Sequence, residues 1–350
     1  MNWTGSDRLE GKARVCASAR QKPRVTVIMA NYNGERFLSA AIESVQNQTL
    51  AEWELIICDD ASTDRSVEII SSYASADARI KLLRNSSNTG PAGARNRALD
   101  MASGAWIAIM DSDDIMHSAR LQTLVANAVR DGAAIAADDL IVFYQDGAKP
   151  SHGLLSGLRA RRPFWVGTAD FMRSNTFYSK GDGLGYLKPL IRADLLRENG
   201  IRYDESLSIG EDYDFVLRLL IAGAKYRVYP QQLYFYRKHG ASISHRLSSK
   251  AAWAMLEADR RLGPKLDTAC PEVRSAFMAR TGSLETVLAF NALIDALKSR
   301  DLREAAGRIF RRPRLLLLLR EPASACLARF RARLRSPVQT GTQLLEKAAL

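Results

Sequence analysis

Ala105-Trp-Ile-Ala-Ile-Met-Asp-Ser-Asp-Asp114 decides how this chain is read. The apolar run from Trp106 to Met110 ends abruptly in the carboxylates Asp111, Asp113 and Asp114, the pattern of a buried strand delivering acids to the edge of a sheet. Carboxylates packed this closely repel one another, and they are costly together unless a cation or a ring of donors compensates. A hard divalent ion with a preference for oxygen is the simplest compensation. The plainer alternative is that these acids cap a helix beginning near Ser118.

The flanking sequence repeats the same grammar. Arg24-Val-Thr-Val-Ile-Met-Ala30 reads as a strand, the polar turn Asn31-Tyr-Asn-Gly34 follows, and Phe37, Leu38, Ala41, Ile42 and Val45 then fall at helical spacing. Trp53 to Cys58 is a second strand, ending in Asp59-Asp-Ala-Ser-Thr-Asp64 before a helix with Val67, Ile69 and Ile70. Arg79 to Leu83 is a third, and Asn85-Ser-Ser-Asn-Thr-Gly-Pro-Ala-Gly93 turns from it into a helix over Ala94 to Met101. The opening strand is the fourth, with Leu121, Leu124, Val125, Ala128 and Val129 as the inner face of its helix. Strand followed by helix, four times over, predicts an α/β fold with a parallel, Rossmann-like sheet and helices on both faces. Ligands of such sheets bind at the carboxyl ends of the strands. Asn31 to Asn33, Asp59 and Asp60, Asn88 to Asn96, and Asp111 to Asp114 all fall there, which simple capping does not explain.

Beyond Ala133 the alternation loosens. Ala133 to Tyr144 reads as a strand with a polar centre at Asp138 and Asp139, and Gly147 to Gly185 as a long Gly-rich loop of the kind that is usually functional. A helix over Arg192 to Asn199, a second opened by Glu211-Asp212, and closing strands over Tyr226 to Val228 and Leu233 to Tyr236 lead to Arg237-Lys-His-Gly240. From Ser248 the pattern is helical, with breaks near Pro264, Pro271, Pro313 and Pro322. The division expected is a loosely packed segment over residues 1–22, an α/β domain over 23–246 and a basic helical region over 247–350.

The chain has 350 residues, 47% hydrophobic and 25% charged, which suits one large core with an appendage or two domains. Cys16, Cys58, Cys270 and Cys326 are scattered without paired spacing, which argues for a reducing compartment and against a structural zinc or a disulfide framework. The first 22 residues lack the apolar core of a signal peptide, and no apolar run approaches a membrane span. Of the net charge of +12, much lies between Leu297 and Ser336, where twelve basic residues stand against three acids. The acidic knot at Asp111 to Asp114 is all the more telling in so basic a chain.

Taken in order, Ala30-Asn-Tyr-Asn-Gly-Glu35, Asp59-Asp-Ala-Ser-Thr-Asp64, Asn88-Thr-Gly-Pro-Ala-Gly-Ala-Arg-Asn96, Asp111-Ser-Asp113, Gly210-Glu-Asp212 and Tyr236-Arg-Lys-His-Gly-Ala-Ser-Ile-Ser244 resemble the motifs of a family 2 glycosyltransferase of the GT-A fold. A proline common in that family is absent where Ala30-Asn31 stands. The resemblance implies an inverting enzyme that takes a sugar from a nucleotide-sugar. It places Asn31, Tyr32, Asp59 and Asp60 in the nucleotide pocket, where a carboxylate suits the imide N–H of a pyrimidine and an aromatic ring offers a stacking face. Arg95 and the Gly93 backbone are expected near ribose and diphosphate; the plainer reading of Arg95 is a surface helix cation. Asp113 is expected to bind Mg2+ or Mn2+, Asp111 the ribose or the metal, Asp114 to support them, and His239 to complete metal or diphosphate binding. A divalent ion would stabilise the charge gained by a departing nucleoside diphosphate. Asp212 is expected as the general base that deprotonates the acceptor hydroxyl. The plainer readings are an exposed loop histidine at 239 and a dipole-favoured acid pair at Glu211-Asp212. Trp165, Phe164 and Tyr186 are candidates to stack on acceptor sugars, although such residues are more often simply core.

The donor class implied is a UDP-hexose such as UDP-glucose, and the acceptor a glycan or lipid-linked saccharide in exopolysaccharide assembly. A nucleotidyltransferase on a similar sheet would need a Gly-rich, Lys-containing phosphate loop after the first strand, and Asn31 to Glu35 is not one. A nucleic-acid-binding protein would show aromatic platforms or a reader motif, whereas the basic tail interleaves leucines. Helices over Leu302 to Phe310 and Leu315 to Leu334 are expected to lie on an anionic membrane surface. That placement makes the enzyme cytoplasmic and peripheral on the inner face of the cell membrane. The alternative is a basic cap on the catalytic domain or on a second subunit of a homo-oligomer.

Overall fold

The order of elements begins with β1 (Val25–Asn31), α1 (Glu35–Gln46), β2 (Trp53–Asp59), α2 (Ser66–Ala76), β3 (Ile80–Arg84), α3 (Gly90–Asp100) and β4 (Trp106–Asp111). The computed structural model to which these belong describes residues 23–147, 149–179, 181–240 and 247–319. The loose segment expected over residues 1–22, Cys16, Cys326, the end of the closing motif from Ala241 to Ser244 and the expected helix past Leu319 lie outside them. Every residue of β2 is buried, and so is all of β1 except Ala30. Strands covered on both faces have no polar side to alternate with, so their sequences read as unbroken apolar runs. β1 pairs in parallel with β2 and β4, with Asn31 opposite Asp59 and Ala30 opposite Asp111. This register sets the polar strand ends at one height.

The chain continues through β5 (Ile115–Met116), α4 (Arg120–Asp131), β6 (Ile135–Tyr144), β7 (His152–Gly153), β8 (Phe164–Val166), α5 (Thr168–Ser174), β9 (Leu190–Arg192), α6 (Ala193–Asn199), α7 (Glu211–Ile221) and β10 (Tyr226–Lys238). The main sheet order is β3-β2-β1-β4-β9-β6-β10-β5. The parallel direction expected from the sequence holds from β3 to β4 and resumes in β6 and β10, which pair in parallel. β9 runs antiparallel to both β4 and β6 and stitches the halves together. The two closing strands are one: β10 runs from Tyr226 to Lys238 with register shifts on either side of Gln232, so the polar stretch at Pro230 to Gln232 bends the strand without ending it. On α4, Leu121, Leu124, Val125 and Ala128 are buried, but Val129 is 60% exposed and does not belong to the inner face.

Helices α8 (Ser249–Leu266), α9 (Pro271–Lys298), α10 (Leu302–Arg311) and α11 (Leu315–Leu318) follow. Pro264 lies inside the last turn of α8, Pro271 opens α9, and Pro313 separates α10 from α11. Leu262, Leu266 and Ala276 join the main core, while Met255, Leu256 and Leu284 pack with Leu207 and Phe177. Gly210 turns into α7 at φ 83°, and an added Cβ would come within 2.5 Å of Met255. The C-terminal helices thus bear directly on the start of α7.

One buried ion pair pins α4 to the sheet. The Arg120 guanidinium donates Nε and Nη2 to the Asp138 carboxylate at 2.8–3.0 Å, with both side chains 1% exposed. Removing one partner of such a pair strands the other charge in the interior. Asp138→Ala should lose roughly 3–5 kcal/mol of stability, read by urea denaturation of the purified protein.

Candidate active site

The acids of β4 do not cap a helix. α4 begins at Arg120 without a side-chain cap, and β5 intervenes. Asp111 meets two buried cations instead. Its Oδ1 accepts from Arg95 Nη2 at 2.7 Å, and its Oδ2 lies 2.7 Å from Lys188 Nζ. Burial pushes its carboxyl upward, but Lys188 and Arg95 together outweigh this and hold it at about 2. The same cations hold the start of α7. Arg95 Nη1 donates to Glu211 Oε1 at 2.7 Å and lies 3.6 Å from Asp212 Oδ1, and Lys188 Nζ donates to Asp212 Oδ2 at 2.8 Å. The Tyr203 hydroxyl donates to Asp212 Oδ1 at 3.1 Å. Burial works against the Asp212 charge, Arg95 and Lys188 favour it, and the net effect is to lower its pKa. Glu211 is displaced the other way by burial and by the Asp212 charge beside it. The pair at the head of α7 thus answers to cations from other elements and is not a simple dipole-favoured pair.

Arg95 is 4% exposed, so it is not a surface helix cation. α3 brings it inward because Asp60, at the end of β2, organises the helix start. Asp60 Oδ1 accepts from the Thr89 N–H and hydroxyl, and Oδ2 accepts from the Gly90 N–H at 2.8 Å. This cross-strand cap starts α3 at Gly90, earlier than the spacing predicts. Gly93 sits in its first turn, where a Cβ would come 2.6 Å from Thr89 Oγ1.

Asp113 and Asp114 meet other partners. Asp114 is buried and satisfied by the Tyr234 hydroxyl at 2.8 Å and the Arg237 N–H at 2.7 Å. Burial, Asp113 and Asp111 push its carboxyl well up. Asp113 Oδ2 lies 2.9 Å from His239 Nε2, and its side chain stays 34% exposed. Burial and the Asp111 charge raise its carboxyl, with His239 offsetting part. His239 is 15% exposed and its ring lies 4.8 Å from that of Phe37, so it is not a free loop histidine.

Carboxylate oxygens of Asp111, Asp113 and Asp114 lie within 4.8 Å of one another, a hard-oxygen set that suits Mg2+ or Mn2+. Their surroundings divide the roles. Both oxygens of Asp111 face cations and both of Asp114 face protein donors, whereas Asp113 with His239 is the part open to solvent. The three carboxylates fit a divalent ion, and Asp113 is the most exposed of them.

On the nucleotide side, Asn31 Nδ2 donates to Asp59 Oδ1 at 2.9 Å, and the Asn31 Oδ1 is buried without a hydrogen-bond partner. Asp59 also accepts from the Ser62 hydroxyl and N–H. Asp59 and Asp60 are 1% and 2% exposed, so both carboxylates shape the strand ends from within. Tyr32, 52% exposed, presents its ring at this rim. The stacking expectation for Trp165 and Phe164 is corrected. β8 pairs with Tyr226 to Val228 at the start of β10, the opposite end of that strand from His239, and Trp165 lies under the Arg227 guanidinium. Tyr186 remains at the rim, 51% exposed, with its ring 6.5 Å from that of Tyr236.

Sequence reasoning missed Lys188, Tyr203, Tyr234 and Arg120. The one available signal was a lone lysine inside the apolar stretch Leu187-Lys-Pro-Leu-Ile191.

Comparisons with known proteins bear on the family and the fold. The Glycosyl transferase family 2 model matches residues 26–192. The succinoglycan biosynthesis protein ExoO of Rhizobium meliloti is 32% identical over 317 residues, covering 90% of this chain and 89% of that protein. The S. aureus TarS fragment 1-349 in complex with UDP-GlcNAc superposes with a TM-score of 0.57 at 20% identity, over 83% of this chain and 74% of that one. The mannosyltransferase PcManGT of Pyrobaculum calidifontis, in complex with GDP-Man and Mn2+, gives 0.51 at 18% identity, over 84% and 82%. A GT-A fold carrying these motifs in this order, with a relative matched along nearly its whole length, makes the chain a glycosyltransferase that belongs to glycosyl transferase family 2.

Proposed function

We propose that this glycosyltransferase moves a sugar from a nucleotide-sugar to a hydroxyl of a saccharide or lipid-linked oligosaccharide in exopolysaccharide assembly, with inversion at the anomeric carbon. The observation that carries the reading is the pairing of Asp111 and Asp212 across the shared cations Arg95 and Lys188. A donor-side acid and an acid fit to act as base are thereby held face to face. Asp212 is the base: it is kept ionised, and α7 presents it beside the donor rim. A Mg2+ or Mn2+ ion bound by Asp113 and His239, with Asp111 adjoining, would supply charge stabilisation to the departing diphosphate. Asn31, Tyr32, Asp59 and Asp60 form the wall for the base and ribose, and Tyr186 is the aromatic face nearest the acceptor. UDP in a TarS complex, Mn2+ in the PcManGT complex and the part of ExoO in succinoglycan biosynthesis support this assignment.

The donor is identified by incubating the protein with Mn2+ and a panel of UDP- and GDP-sugars, UDP-glucose first, and following nucleoside diphosphate release. Release from one donor that stops on chelation with EDTA is the expected result; no release from any donor defeats the reading. Asp113→Ala should abolish Mn2+-dependent UDP binding in calorimetry. Asp212→Asn should leave that binding within about threefold while lowering kcat about 10²–10⁴-fold. Because the folded-state pKa of Asp212 is depressed, the ionised base is present above the ordinary carboxylate range and lost only as pH falls below it. The pH–rate profile should therefore show no acid limb from this group above about pH 4.

The C-terminal helices support a membrane surface as a partner. Leu302 and Phe310 are 70% and 88% exposed on one side of α10, beside Arg303, Arg311 and Arg314. Ala305, by contrast, turns inward with Leu293 and Leu315. No helix among the described residues is long and apolar enough to cross a membrane. An exposed apolar stripe edged with arginine suits the boundary of an anionic leaflet. The protein should sediment with phosphatidylglycerol vesicles, less so in high salt, and Leu302→Glu with Phe310→Glu should abolish this. Equal sedimentation of wild type and double variant would dismiss the surface.

A further inference from the structure

We propose that Lys188 is a positioning residue that fixes the base Asp212 against the donor-side Asp111; the inference rests on the assignment of Asp212 given above. The ammonium sits 2.7 Å from Asp111 Oδ2 and 2.8 Å from Asp212 Oδ2. Arg95 parallels it, but its approach to Asp212 is longer, 3.6 Å, because its Nη1 is committed to Glu211. The close contact to the base therefore belongs to Lys188.

The backbone that carries this side chain is itself anchored. The Lys188 carbonyl accepts from Arg120 Nη2, and Arg120 is locked on Asp138. The next residue, Pro189, has its torsion fixed by its ring, and its carbonyl accepts from the Ile109 N–H at 3.3 Å. On the other side, the Gly185 N–H donates to Asn175 Oδ1 at 2.9 Å. A lysine in solution samples many rotamers, whereas this one is 6% exposed and fixed at both ends of its segment. Stability alone does not call for a buried ion pair, since apolar groups of equal volume often serve as well. What apolar groups cannot do is hold two carboxylates at a set separation without repulsion. Lys188 does this for one acid from β4 and one from α7, so donor side and base keep their mutual geometry.

The test compares wild type, Lys188→Met and Lys188→Arg in the full chain, with Mn2+ and the donor selected by the panel. Three readouts are taken: UDP·Mn2+ affinity by calorimetry, the split between donor KM and kcat, and the melting temperature. Lys188→Met should lower kcat by about 100-fold, the scale of a misplaced reacting group, with donor KM and UDP affinity within about threefold of wild type. Lys188→Arg, which can bridge two carboxylates, should recover about tenfold or more of that loss. A kcat within about threefold of wild type overturns the proposal, as does an equal loss of UDP affinity, which would make Lys188 a donor ligand. Should Lys188→Met fail to fold, Lys188→Gln takes its place; failure of both assigns Lys188 to the fold and overturns the proposal too. A wild type that releases no nucleoside diphosphate from any donor is a different result, removing the assignment of Asp212 and this inference with it.

Discussion

Like charges cannot be brought together in a protein interior unless opposite charge comes with them, and this constraint organises the molecule. Asp111, Glu211 and Asp212 arrive from two elements far apart in sequence, and Arg95 and Lys188 arrive from two others. Each cation touches acids of both kinds. Remove the cations and β4 and α7 would repel where Asp111 faces Asp212. The buried network is a cost accepted for geometry, since its desolvation yields little net stability.

The elements behind the network are arranged to deliver it. Asp60 opens α3 so that Arg95, in its second turn, faces β4. Arg120 and Asp138 anchor the Lys188 carbonyl, and Asn96 joins α3 to Tyr203, which reaches Asp212. The acids that resemble ligands in the sequence therefore divide into two groups. Asp59, Asp60 and Asp114 are spent on groups of the fold, whereas Asp113 keeps its side chain 34% exposed and Asp212 meets the cations that also hold Asp111.

Much of this was legible before any coordinates. Buried parallel strands have no polar face, so their apolar runs announce themselves, and the polar clusters closing them marked the rim correctly. Asp111 and Asp212 were visible because carboxylates ending a strand or opening a helix stand out against apolar neighbours. Lys188 was not, because a single lysine in a loop looks like any solvated cation until the fold buries it. β9 escaped for a related reason: three residues carry no period. For Trp165 and Phe164 the choice between acceptor stacking and core stayed open, because composition alone cannot say which end of a strand a side chain occupies.

β9 has a further consequence. It lies between a half built by residues 25–111 and a half built by β6 and β10, and it follows directly on Lys188 and Pro189. The segment from Tyr144 to Lys188 is tied to the fold along its course, by β7 on β6, by β8 on β10 and by the buried Phe171 and Met172 of α5. Changes of length are therefore confined to the turns between these elements. A change of length in those turns reshapes the surface there without shifting the spacing of Asp111, Lys188 and Asp212.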